Sequence, residues 1–171
     1  MPRLHHLSPG YVITYPNRDR SASRLMRAVV IAVLLLSALL LLTVTVGGWS
    51  RLEGMLVLNF LWALLYAVIA FYIWRWSRGL LPIAAALAAL LLIPAAAAVS
   101  GVAGASWGQR EGLGYAAAHS LFGGSGFGPG LLSLLTWMVI PLQLLLIAVS
   151  VIAFLQGWNI EHEERLDGAR A

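Results

Sequence analysis

Lysine and cysteine are both missing from these 171 residues, and charge of either sign is scarce, at 11% of the chain. Soluble domains carry about 25% charged residues. With 60% of its residues hydrophobic, this chain would need a larger core than one water-soluble domain encloses. The absence of cysteine excludes disulfides, thiol redox chemistry, thiolate metal sites and covalently attached c-type haem. The absence of lysine excludes a Walker A phosphate cradle. In a chain rich in Ala, Leu, Gly and Arg it also points to GC-rich bacterial coding.

What is present is four apolar runs, over about 27–46, 55–74, 80–100 and 131–156, in which no Asp, Glu, Lys, Arg or His follows the opening Arg27. Each has roughly 20 residues or more at about 1.5 Å rise, enough for a hydrocarbon core about 30 Å thick. The pattern predicts an all-α membrane protein with four transmembrane helices. Thirteen Leu, Val and Ile between Ala28 and Val46 favour insertion of the first run by about 4–8 kcal/mol. That run is longer than a secretory h-region and no A-x-A-like cleavage site follows it, so it reads as an uncleaved span. Charge-free spans speak against pumping, proton relay and ion coupling. All four His lie outside the spans, which excludes haem held by two histidines within the helices.

The arginines give the direction. Arg3, Arg18, Arg20, Arg24 and Arg27 lie before or at the start of the first span, Arg75 and Arg78 between the second and third, and Arg165 and Arg170 after the fourth. Only Arg51 and Arg110 fall in the other two connections. The positive-inside rule then predicts both termini in the cytoplasm, with the protein in a bacterial inner membrane. The expected parts are a cytoplasmic tail over 1–25, a four-helix transmembrane domain over 26–157 and an acidic cytoplasmic tail over 158–171. Tyr11 to Thr14 has the β-branched and aromatic content of a short extended segment. His5-His6 reads as part of a solvated tail. The two tails share a face, either in contact or solvated separately. Glu161 and Arg165 are four apart and would pair if the fourth helix continued through them.

Trp49, Trp74, Trp76, Trp107 and Trp158 all sit at span borders and read as an interfacial aromatic belt. The third span carries nine Ala between Leu80 and Ser100, and small residues four apart let helix backbones approach closely. It is expected to be the most enclosed of the four. Pro94 and Pro141 fall inside the third and fourth spans and are expected to free the carbonyls of Leu90 and Trp137.

Chemistry has few places to reside. The outer connection, about Gly101 to Gly130, holds ten glycines, with a short interfacial helix expected over Leu113 to Phe122. On or beside that helix, Arg110, Glu111, Tyr115 and His119 form the one outer cluster with acid-base or ligand potential. A surface helix with an exposed His is the plainer reading. Gly112, Gly114 and Ala117 match a dinucleotide fingerprint only formally, with no strand before them. Inside the spans, Asn59, Gln143, Thr136 and Ser37 stand out among a few hydroxyls. They serve either interhelical hydrogen bonding or a polar path opening outward.

No catalytic residue, cofactor, metal site or nucleic-acid contact is expected. The reading is a non-catalytic integral membrane protein, an accessory or scaffold subunit that acts through helix packing. Its expected partners are membrane lipid and another membrane protein or copies of itself. The alternative is a passive pore or small-solute carrier formed by oligomerisation; the third is a membrane enzyme using the outer loop.

Overall fold

The computed structural model describes residues 11–49, 52, 56–100, 106–112 and 126–165. Its elements are β1 (Tyr11–Thr14), α1 (Pro16–Asp19), α2 (Ser21–Gly47), α3 (Leu56–Trp74), α4 (Leu81–Ser100), α5 (Trp107–Gly112), α6 (Pro129–Leu155) and β2 (His162–Arg165). A 3-10 turn, Arg78–Leu80, leads into α4. The four long helices are long and apolar enough to cross a membrane, as a multi-pass membrane protein requires. At 27 residues each, α2 and α6 are about 40 Å long. α4 and α6 continue through Pro94 and Pro141 as unbroken helices.

The helices pack in the order α3, α2, α6, α4. α2 lies against α3 and α6, and α6 lies against α4, while α3 and α4 touch little although only a short turn joins them. Each helix buries one narrow stripe. On α4 it is Leu81, Ala84, Ala88, Leu91 and Ala95; on α6 it includes Leu132, Thr136, Val139, Gln143, Leu146 and Ser150. Steps of three and four residues keep these positions on one side of a helix, the spacing of a coiled-coil seam.

This order overturns the expectation for the Ala-rich helix. α4 is the least enclosed span, with 28% of its most apolar stretch buried against 44% for α2. It stands at the end of the row and has one main neighbour. Its alanines do allow close approach, but only Ala84, Ala88 and Ala95 are buried; Ala86, Ala89 and Ala96 face outward.

One end of the helices carries both strands and is called the tail end; the other carries α5 and is called the loop end. β1 and β2 form a two-stranded antiparallel sheet that pairs Tyr11 with Arg165 and Thr14 with His162. The tails are therefore in contact, and the fold is not purely helical. α6 stops at Leu155, so Glu161 and Arg165 do not share a helix. Glu161 instead accepts a hydrogen bond from the Tyr15 hydroxyl at 3.1 Å.

Candidate functional site

Two constellations stand out, one at each end. At the tail end, side chains stitch the helix termini together. Gly157 has φ +61° and turns the chain so that Trp158 points back inward, fully buried. Its ring meets Trp76 edge-on, with centroids 5.6 Å apart. Trp76 itself has φ +66°, the left-handed conformation that a large aromatic rarely adopts. It occupies the position after α3 that glycine usually fills. Its N–H donates to Ile73 O at 2.9 Å and that of Ser77 donates to Tyr72 O at 3.0 Å, the paired bonds of a Schellman ending.

Arginines complete this end. The Arg27 guanidinium lies 4.0 Å from the Trp76 ring centre and donates to Trp74 O at 3.2 Å. Arg78 donates to Phe154 O at 2.8 Å. Each cation thus satisfies a terminal carbonyl of a neighbouring helix, where the helix dipole favours positive charge. The sheet is tied in by Asn17, donating to Gly157 O at 3.0 Å, and by Arg18, donating to Asn159 Oδ1 at 3.0 Å.

The loop end is built differently. Gly47, the last residue of α2, lies directly under Phe127, and a Cβ there would overlap the ring. The Phe127 N–H donates to Gly47 O at 2.8 Å. Gly126, at φ +71°, passes so close that a Cβ would lie 2.5 Å from the same carbonyl. Beside this contact the helices leave a cavity of about 90 Å³. Leu41, Val44, Leu91, Ala95 and Val139 form its walls, Pro94 and Ala98 lie along α4, and Trp107 closes it with Leu52. Trp107 is buried, and its indole N–H donates to Thr136 Oγ1 at 3.0 Å.

Trp107 and Trp158 are therefore not lipid-facing anchors, as their border positions suggested. Each is folded inward as a plug at one end, while Trp74 remains exposed. Of the intramembrane polar candidates, Asn59 and Thr136 line the cavity. The Thr136 hydroxyl also donates to Leu132 O at 2.7 Å. Gln143 lies deeper and accepts a hydrogen bond from the Tyr66 hydroxyl at 2.7 Å, which joins α3 to α6. Ser37 is buried on α2, apart from the cavity, with its hydroxyl unpaired among the described residues. The four do not converge on one point. Of the outer-loop cluster, Arg110 and Glu111 fall in α5, whereas Tyr115 and His119 lie outside the described residues, as do His5 and His6. The helix described in this connection is α5, ahead of the expected Leu113–Phe122 segment, which also lies outside them.

Tyr66 has no place among the residues singled out from the sequence, whereas Trp107 and Trp158, expected as belt residues, are buried instead. A signal for Tyr66 was available: it stands seven residues after Asn59 and seven before the buried Ile73. No family model matches the chain, and neither a curated protein nor a solved structure does.

Proposed function

We propose that this chain is a non-catalytic subunit of a bacterial inner membrane, with both termini cytoplasmic, that works by packing against another membrane protein or further copies of itself. The observation that carries the reading is the position of α4. It is the least covered span, and its outward side sets the small Ala86, Ala89 and Ala96 among the exposed Leu90 and Ile93, the hollows and ridges against which a second helix can pack. The orientation rests on the arginines, which gather at the tail end and cap helix termini there.

A pore assembled from several copies would need polar side chains on an outward face. Gln143, Thr136 and Asn59 are all buried, and the first two bond internally, which favours the packing role. The test is the mass of the particle extracted in a mild detergent, for the wild type and for Ala86→Phe with Ala89→Phe. The expected result is an assembly that the double variant reduces to the bare chain. A wild type that is already a bare monomer sinks the proposal.

A further inference from the structure

We propose that the loop-end cavity is a lipid site, in which an acyl chain of the surrounding bilayer enters between α3 and α4 and its ester oxygen accepts a hydrogen bond from the Asn59 amide. The inference rests on the four helices crossing a membrane and on nothing else in the functional reading.

Four observations converge. The cavity walls are aliphatic apart from Asn59, Thr136 and Trp107. The Trp107 N–H and the Thr136 hydroxyl are already bonded to each other, so both present mainly carbon to the space. α3 and α4 touch little, and Pro94 and Ala98, on the α4 side, are the half-buried members of the lining. The mouth therefore opens sideways, where the solvent is hydrocarbon, and an apolar recess open to hydrocarbon fills with it.

Asn59 then selects what fills it. The residue is 8% exposed, lines the cavity and makes no hydrogen bond to any other described residue. A buried amide in that state is costly unless something supplies a partner. A plain hydrocarbon supplies none, whereas an ester does. Depth fits the same ligand. Asn59 lies in the first turn described for α3, three residues after Leu56 and toward the loop end of the span, the side of the interfacial zone where lipid esters lie. Size limits it further. At about 90 Å³ the space is smaller than the roughly 150 Å³ cavity that takes benzene, so it holds the first few methylenes of one chain and no whole lipid.

The experiment uses the full-length protein in phosphatidylcholine vesicles containing a small fraction of phosphatidylcholine with a diazirine on the acyl carbons next to the ester. After illumination the labelled peptides are mapped by mass spectrometry. Label is expected to concentrate on the start of α3 and on Leu91–Ala98, above that on the exposed Phe71 face. Ala98→Phe should abolish this excess and leave Phe71 labelling unchanged. Asn59→Leu should reduce it roughly 2- to 10-fold, the worth of one hydrogen bond.

When the bulk phosphatidylcholine is replaced by its ether-linked analogue, which lacks the carbonyl and should compete less well, the excess of label at the cavity over the Phe71 face should rise on the wild-type protein. This last arm needs no variant to fold. Label spread evenly over cavity and Phe71 face, or unmoved by Ala98→Phe in a protein that keeps its thermal transition, overturns the site. Equal competition by the ether lipid overturns the role given to Asn59. Protein stripped from the vesicles by alkaline carbonate overturns the membrane reading itself, which separates that failure from a failure of the site.

Discussion

The two ends of this molecule close the same four helices by opposite means. At the tail end the closure is polar and directional: arginines donate to exposed helix carbonyls, two indoles meet edge to face, and a two-stranded sheet spans the gap. At the loop end it is steric and apolar. Two glycines let backbone and a phenyl ring into contact, one tryptophan plugs the space, and a cavity remains. The tail end gathers its strength from many modest contacts, so no single one is decisive except the buried ring at its centre. The loop end depends on the absence of two Cβ atoms, so a single methyl group is enough to disturb it.

The comparison breaks first at Trp158. Truncating a fully buried indole costs about 3–5 kcal/mol, and Trp158→Ala should produce the largest fall in thermal midpoint in detergent. It should also raise proteolysis at the tail strands while leaving Trp107 buried. Next comes Gly126→Ala, which places a methyl group against Gly47 O in a left-handed backbone. A loss of about 1–3 kcal/mol is expected, and the intensity change should be confined to loop-end reporters such as a probe near Phe127.

A smaller effect tests the strain at Trp76. Trp76→Gly and Trp76→Ala both lose the contacts with Trp158 and Arg27, but only glycine is at ease at φ +66°. The glycine variant should be the more stable of the two by about 1 kcal/mol, the reverse of the order inside a helix. Equal midpoints would show that the backbone there relaxes freely. The smallest effect lies between the ends. A double-mutant cycle on Tyr66→Phe and Gln143→Leu should give a coupling of about 0.6 kcal/mol, typical of hydrogen bonds between membrane helices.

The four helices were legible because composition alone demands them. Their inward faces were not, since hydrophobicity is nearly uniform around each helix and carries no direction. Direction was present in another form. Thr136, Gln143 and Ser150 recur every seven residues on α6, and all are buried. In an apolar helix the regular return of small or polar side chains marks the packed seam. The same logic misled at α4, where alanine density shows that close approach is possible but not how many neighbours approach.

The tryptophans beside the apolar runs were legible in the sequence, but their direction was not: the turn at Gly157 makes Trp158 face inward. β1 was visible in its own side chains. Its partner His162–Arg165 was not, because a charged segment has little strand preference of its own and pairs here as a two-stranded edge. Of the candidate polar residues, the sequence indicated which were intramembrane and polar, while their grouping required the packing order of the helices.

The tail sheet has a consequence for how the chain is made. Thr14 donates to the carbonyl of His162, 148 positions later, so the first strand to leave the ribosome waits for the last. At synthesis rates of about 5–20 residues per second, that wait is roughly 7–30 s. During it, all four helices must reach the bilayer with the first tail still unpaired. Closing of the sheet then requires an even number of crossings between the strands, since a single helix left out of the bilayer would put the two strands on opposite faces of the membrane.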